Sequence, residues 1–349
     1  MPSTRRNILV INCGSSSLKF ELFDKSLKSL KEGMIDRIGT KVKNHTAAAQ
    51  TAFKILKGKK IDLIAHRVVH GGEKYSKPLR LNSKNIKEIA KLIPLAPLHN
   101  PINLEGILAC KKLLPKVPQV AVFDTAFYSS LSPKAYLYAI PFDLYKKHHI
   151  RRYGFHGTNH KYVTEKALKI LKKKNAKIVS CHLGNGSSIT ASIGGKAVDT
   201  SMGFTPLEGI PMGTRCGSID PAIVIKIQEL KKLSPQKTKD FLNNECGLKA
   251  LSQGFSDMRD IYHRSLKKNK NALLAMEIFS YQIAKYVGAY TASLKGLDAL
   301  IFTGGIGENA FYIRKKVCEY LKYLKKFRVL VIKADEGYQI AKDSLTLFP

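Results

Sequence analysis

Asn12, Ser15, Ser17 and Lys19 stand close together around Gly14 in the stretch NCGSSSLK. Short amide, hydroxyl and ammonium donors beside a glycine suit an anion, and phosphate is the obvious candidate, because the backbone can approach it closely. No Gly-Lys-Ser/Thr opens a helix here, so this is not a P-loop. An ordinary serine-rich hairpin is the competing reading. Gly184-Asn185-Gly186-Ser187-Ser188 repeats the composition half a chain later. Isolated charged and titratable groups stand elsewhere. Arg67 and His70 precede the pair Gly71-Gly72, Asp124 follows an apolar run, His156 sits in Gly154-Phe155-His156-Gly157, and Arg215 lies between Gly213 and Gly217, where it can reach an anion.

The elements that must position these groups are legible from patterning. Asn7 to Ile11 is an apolar, β-branched run, and Leu18, Phe20 and Leu22 alternate with less apolar residues, so residues 7–24 predict a hairpin with the donors at its tip. Residues 178–193 predict a second hairpin of the same design. Two such units half a chain apart are what a duplicated nucleotide-binding fold needs. Ile61 to Val69 reads as a strand bringing Arg67 to its C-terminal end, where open α/β sheets bind ligands; a solvated arginine at a turn is the alternative. Gln119 to Asp124 reads the same way, with an Asp helix cap as the alternative. Three prolines in Pro94–Pro101 predict a rigid extended loop presenting Leu98 and His99, either a pocket wall or a connector. Residues 200–221 hold four glycines and three prolines without period, and a long irregular segment in a compact domain is usually functional.

Helices are predicted over Ala47–Leu56, Ser83–Ile93 with Ser83 as cap, Ile102–Leu114, His160–Lys174, Pro221–Lys232, Ser234–Asn244, from Ser256 or Asp257 onward, and over Asn271–Leu294, the last packing a core. Ala299 to Thr303 reads as a strand, followed by a glycine-rich turn at 304–309 and a helix from Ala310, an arrangement that offers backbone N–H groups to a nucleotide. The GxGxxG match is poor, which disfavours a dinucleotide. Arg328 to Ile332 is the last strand, and Asp335-Glu336 starts a C-terminal helix.

A length of 349 residues predicts two domains or one large one. No apolar run approaches a bilayer span, and the apolar stretch after the basic N-terminus stops at Ile11, which does not predict a signal peptide. Six cysteines without a CxxC pair read as free thiols of a cytosolic protein and argue against zinc. The net charge of +33 invites a nucleic-acid or anionic-lipid reading. The lysines are spread along the whole chain without interleaved aromatics, however, which favours a compositional surface over a nucleic-acid footprint.

NCGSSSLKF, HRVVHGGE, PLAPLHNP, FDTAF, YGFHGTNH, HLGNGSS, TSMGFTPLEG, GTRCGSIDP, SDMRDI and FTGGIGENA occur in an order and spacing that resemble the acetate kinases, from residue 12 to 310. The resemblance implies the superfamily of sugar kinases, actin and the heat-shock chaperone ATPases. Its α/β fold has two duplicated actin-like (ribonuclease H-like) domains around an ATP cleft. The expected domains are 1–124 plus 334–349, closed by the C-terminal segment, and 125–333, which binds nucleotide. The implied activity is reversible, Mg-dependent transfer of phosphate from ATP to acetate, giving acetyl phosphate and ADP by direct in-line transfer.

Carried over by position, the resemblance assigns Mg²⁺, with Mn²⁺ as a substitute, to Asn12 and Glu336. Ser15, Ser17 and Lys19 would contact phosphates. Arg67 would bind the acetate carboxylate or the phosphoryl group, and Val69, Leu98 and Pro206 would surround the methyl. Asp124 would be the essential carboxylate, and His156 and Arg215 would stabilise the transition state. His182, Leu183, Gly184, Asn185 and Gly186 would bind ATP, as would Asp257, Met258 and Arg259 and then Gly305, Ile306, Gly307, Glu308 and Asn309, these last two groups around the adenosine. A cytoplasmic homodimer with a functional link to a phosphate acetyltransferase, and so to acetyl-CoA, is also implied, with no specific nucleic acid and no membrane.

The chemistry suits these residue types. Phosphoryl transfer asks the protein mostly to position groups and neutralise charge, and a carboxylate acceptor needs no general base. The chain departs from the family in being shorter, with the loss placed between residues 24 and 60 and between 320 and 330. Tyr128 stands where the family commonly has His, and Asn159 where it has Ser. Asp335-Glu336-Gly337 aligns with a family Asn-Glu-Glu. A propionate or butyrate kinase of the same superfamily is the nearest rival. A non-enzymatic actin-like ATP binder predicts loss of Arg67, Asp124, His156 or Arg215, and all four are present.

Overall fold

The computed structural model describes residues 6–348. The chain divides into two compact units: residues up to Ser129 with 157–159 and from Asp335 onward, and residues 130–156 with 160–334.

The first unit is built on strands β1 (Ile8–Cys13), β2 (Leu18–Phe23), β3 (Ser29–Ile35), β4 (Leu63–Val68), β5 (Leu79–Arg80) and β6 (Gln119–Phe123). Their order in the sheet is β3-β2-β1-β4-β6-β5. β1 pairs antiparallel with β2, from Ile8↔Phe23 to Cys13↔Leu18, and parallel with β4, which is parallel to β6. Both faces of β1 are covered, which is why it lacks polar alternation. Leu9 and Ile11 join Leu18, Phe20 and Leu22 in one core, beneath Ala48, Ala49 and Ala52 of helix His45–Ile55. Ile8 and Val10 meet Ile340 and Ala341 of the C-terminal helix Glu336–Leu345 in another. The Asp335 side chain caps that helix by accepting from Tyr338 N.

The second unit carries β7 (Lys177–Leu183), β8 (Ser187–Ile193), β9 (Lys196–Thr200), β10 (Ala299–Thr303) and β11 (Arg328–Val331), in the order β11-β10-β7-β8-β9. β7 is antiparallel to β8 and parallel to β10, as β1 is to β2 and β4. Leaving out the short edge strand β5, both sheets take their strands in the order third, second, first, fourth, fifth. The duplication expected from the two hairpins is therefore a repeat of whole sheets, and the α/β class follows. Helix Lys270–Leu294 buries Phe279, Ile283 and Val287 on this sheet, as a core helix should.

Three local expectations are corrected. Pro94–Pro101 is not extended: Ile93–Leu95 forms a 3₁₀ turn and helix Asn100–Leu113 starts directly after further turns. The cap of helix Ser83–Ala90 is Asn82 rather than Ser83, because Asn82 and Asn85 satisfy each other's backbone N–H. Gly304–Asn309 is a short helix, not an open turn, with the N–H of Gly304 taken by the Glu308 carboxylate at 3.0 Å.

Among the described residues no helix is long and apolar enough to cross a membrane, and all six cysteines are unpaired. Burial lowers the pKa of His66 to about 4, with Gln119 as its hydrogen-bond partner opposing the shift. In the unfolded chain His66 takes its proton near pH 6.5. The unfolded state therefore binds more protons between these values, and stability falls as pH drops from about 6.5 towards 4. Thermal melts across that range should fall less steeply for His66→Gln than for the wild type.

Candidate active site

Strands β1, β4 and β6 run parallel, with Ile11 opposite His66 and Val68 opposite Phe123. Their C-terminal ends therefore bring Asn12, Arg67 and Asp124 together. Arg67 Nε and Nη2 both donate to Asp124 Oδ2, at 3.0 and 2.5 Å, and Nη1 donates to Asn12 Oδ1 at 3.4 Å. Glu336 Oε2 lies 3.8 Å from Nη1. Burial of the guanidinium works to lower its pKa, but Asp124 and then Glu336 outweigh it, so Arg67 is held above its ordinary range and stays charged. Asp124 is 1% exposed, and its other oxygen accepts from Thr158 Oγ1 at 2.7 Å. The carboxylate is thus fixed on both sides, and the helix-cap reading of Asp124 is replaced by an ion pair. Gly157 permits this approach, since a Cβ there would overlap the Asp124 carbonyl oxygen.

The donor-bearing tip of the first hairpin closes with Gly14 N donating to Ser17 O at 2.8 Å, leaving Ser15 and Lys19 exposed. Two residues that sequence reading missed hold it in place. His45 Nε2 is 2.8 Å from Gly14 O. The buried Asn103 donates to Cys13 O at 3.1 Å and accepts from Val69 N at 3.0 Å, tying the ends of β1 and β4. Asn103 lies just beyond the PLHNP stretch, but nothing in its spacing announces a link to residues 13 and 69. Val69 is buried beside this link, whereas Leu98 is 55% exposed in the turns before helix Asn100–Leu113.

In the second unit, His156 holds a left-handed backbone (φ 57°) at the start of helix Gly157–Leu171. Its ring stacks on His182 with centroids 4.3 Å apart. A Cβ on Gly186 would stand 3.4 Å from His156 Nε2 and equally from Arg215 Nη1, so both groups converge on the glycine of the second hairpin. Arg215 donates to the carbonyl of Pro206 at 3.1 Å, and Met212 Sδ is its other neighbour. Among the described residues no carboxylate pairs with it, and burial lowers its pKa. Arg215 is half-buried, and a partly desolvated cation without a counter-ion carries a cost that an arriving anion offsets. The loop carrying both is braced by Glu208, which accepts from Arg152 and from the Tyr138 hydroxyl.

A cavity of about 790 Å³ in this unit gathers Gly184, Asn185, Asp257, Met258, Arg259, Gly305, Ile306 and Asn309. Tyr262 and Tyr312 complete it as a stacked pair, with centroids 3.7 Å apart and planes 4° from parallel. Two tyrosines fifty residues apart carry no sequence signal of this meeting. Arg259 is exposed and bonded to Asp257, whose side chain also caps helix Met258–Leu266. Leu183 and Glu308 do not present their side chains: Leu183 is buried in the core, and Glu308 Oε1 accepts from Gly304 N and Ala334 N. Gly307 is buried within its short helix.

A family model described as the acetokinase family matches residues 7–55 and 40–342. The chain belongs to the acetokinase family. Curated acetate kinases from Carboxydothermus hydrogenoformans and Thermotoga maritima are 46% and 44% identical to it, each match covering 97% of the chain and 98% and 97% of the relative. Among solved structures, Porphyromonas gingivalis acetate kinase superposes with a TM-score of 0.92 at 38% identity, covering 99% of this chain and all of that one. A propionate kinase from Francisella tularensis superposes with a TM-score of 0.92 at 40% identity, covering 97% of this chain and 98% of that one. Acetokinases use ATP and ADP, and the glycine hairpins and cavity are read accordingly. Alignments of 392–393 positions against 349 residues make the relatives longer. The two family matches overlap at 40–55, inside the stretch where shortening is expected.

Proposed function

We propose that the chain is an acetate kinase, transferring the γ-phosphoryl group of ATP to acetate to give acetyl phosphate and ADP, reversibly. The observation that carries this reading is Arg215, a half-buried guanidinium without a carboxylate, converging with His156 on the hairpin glycine Gly186. Such a pair is suited to the equatorial oxygens of a transferring phosphoryl group, whose stabilisation is the main task in this chemistry.

Arg67 binds the acceptor. Acetate is already anionic, so no base need create the nucleophile; the requirement is a cation whose direction is fixed, and Asp124 fixes it. Val69, Leu98 and Pro206 take the methyl group. Ser15, Ser17 and Lys19, with residues 182–186, meet phosphates. The Tyr262–Tyr312 cavity with Asp257–Arg259 and residues 305–309 takes the adenosine. Removing one face of the tyrosine stack is expected to weaken nucleotide binding rather than the chemical step. For Tyr262→Ala, KM for ATP should rise about tenfold, with kcat within about twofold, on the scale of ~1–3 kcal/mol for one stacked base. Steady-state kinetics at saturating acetate read this directly.

The oxygen donors Asn12, Asp124 and Glu336 around one site suit Mg²⁺, which takes one or two carboxylates and completes its shell with water and phosphate oxygens. Asn12 and Glu336 would hold it, and when bound it supplies neutralisation of nucleotide charge; Mn²⁺ suits the same oxygens. Acetyl phosphate then feeds a phosphate acetyltransferase making acetyl-CoA. The cytoplasm is the compartment that fits unpaired thiols. Helix Lys270–Leu294 exposes Leu273, Leu274 and Tyr281, a face suited to a homodimer, which size-exclusion chromatography should return as twice the 38.9 kDa chain.

The Francisella propionate kinase supports a second reading, in which propionate is the better acceptor. One methylene in an apolar pocket is worth about 1–3 kcal/mol, so the acids overlap. Trapping acyl phosphate as its hydroxamate with ATP, Mg²⁺ and either acetate, propionate or butyrate tests both readings. The highest kcat/KM is expected with acetate; preference for propionate would move the assignment.

A further inference from the structure

Pro206 lies midway in a short loop, residues 204–208, whose two ends are held by one phenol. The hydroxyl of Tyr138 accepts from Phe204 N at 2.9 Å and donates to Glu208 Oε2. Both directions are fixed, because a backbone N–H only donates and a carboxylate only accepts. The other oxygen of Glu208 accepts from Arg152 Nη2 at 2.7 Å. Arg152 Nη1 in turn donates to the carbonyls of Thr200 at 3.0 Å and Ser201 at 3.3 Å. Gly203 leaves room for this arrangement, since a Cβ there would overlap both Glu208 Oε2 and the Tyr138 oxygen. Tyr138, Arg152 and Glu208 are each half-buried. Burial, and then Glu208, hold the phenol pKa above its usual value, so Tyr138 keeps its proton and remains the donor.

What this clamp holds is the carbonyl of Pro206. The proline ring fixes φ, and its missing N–H leaves the carbonyl as the one polar backbone group there. That carbonyl accepts from Arg215 Nη1 at 3.1 Å. The Met212 sulfur, 3.7 Å from the same nitrogen, is a weak acceptor. Among the described residues no carboxylate pairs with Arg215, so the guanidinium takes its direction from Pro206. Nη1 carries two hydrogens. The carbonyl takes one and leaves the other, on the nitrogen that stands against Gly186, for an anion.

We propose that Tyr138, Glu208 and Arg152 are positioning residues, which hold the Pro206 carbonyl where it aims Arg215 at a phosphoryl group beside Gly186. The clamp itself follows from the hydrogen bonds; its catalytic use rests on the acetate kinase reading.

The test has two arms. In hydroxamate kinetics, Glu208→Ala and Tyr138→Phe should each lower kcat by about tenfold or more, the scale for a reacting group misplaced by a remote change, with KM for ATP and acetate within about twofold. Glu208→Gln keeps an acceptor for Arg152 and offers an amide N–H to the Tyr138 oxygen, so kcat should stay within about threefold of wild type. Added to Arg215→Ala, Glu208→Ala should cost less than about twofold more, because the group it positions is gone. An equal loss with and without Arg215 would reduce the cluster to packing and overturn the proposal, as would full activity in both single variants. The second arm is a crystal structure of ligand-free Tyr138→Phe, whose ring keeps the packing. Arg215 Nη1 is expected to leave the Pro206 carbonyl, and an unmoved 204–208 loop with that bond intact overturns the proposal. If wild type makes no acyl phosphate, the acetate kinase reading fails, and the crystal structure alone decides whether the clamp aims Arg215. It does so equally if Glu208→Ala does not fold.

Discussion

Arg67→Ala is expected to lower kcat/KM for acetate by about a thousandfold and to destabilise the protein by about 3–5 kcal/mol. The first effect is the scale for losing a preorganised cation at the reacting group. The second comes from what remains. Asp124 is 1% exposed and receives two hydrogen bonds from this guanidinium, and an uncompensated buried carboxylate costs about that much. Arg67→Lys keeps the charge but loses the fork that meets one carboxylate oxygen with two N–H groups. It should recover most of the stability and only part of the activity. Hydroxamate kinetics and urea unfolding of the two variants side by side measure both effects.

Arg215→Ala is expected to lower kcat by about a hundredfold to a thousandfold while leaving the unfolding midpoint unchanged or raised. The contrast with Arg67 is the informative part. Arg215 contributes hydrogen bonds to the Pro206 carbonyl and a contact with Met212, but no carboxylate depends on it. Removing it relieves a desolvated charge rather than stranding one. Enzymes commonly hold such charges for the ligand at the expense of stability. If Arg215→Ala lost several kcal/mol, the side chain would be a structural tether, and its role as an anion-seeking cation would be wrong.

How much of this was legible in the sequence depends on the range over which each signal acts. The hairpins 7–24 and 178–193 were legible because alternation and a glycine-serine tip are local. The parallel strand ends holding Arg67 and Asp124 were legible because an apolar run that stops at a charge is local too. The duplicated sheet order extends what two short repeats implied. Residues 304–309 read as a loop because glycine is a poor helix former. The structure makes them helical by closing the Gly304 N–H onto Glu308, a contact four residues away that composition does not reveal. Pro94–Pro101 reads as extended because proline restricts its predecessor, yet backbone bonds such as Leu95 N to Leu92 O and His99 N to Ala96 O fold it into turns. Residues that meet only in the tertiary structure were not readable at all: the Tyr262–Tyr312 stack, the Asn103 bridge between residues 13 and 69, and the Ser188 hydroxyl between two histidines.

The most direct test of the central claim is a ³¹P NMR time course of the purified chain with ATP, Mg²⁺ and acetate. The account predicts that the γ-phosphate resonance of ATP declines as those of ADP and acetyl phosphate appear together, and that adding ADP and acetyl phosphate runs the exchange backwards. Inorganic phosphate appearing in place of acetyl phosphate, with or without acetate, would make the chain an ATPase and contradict the account.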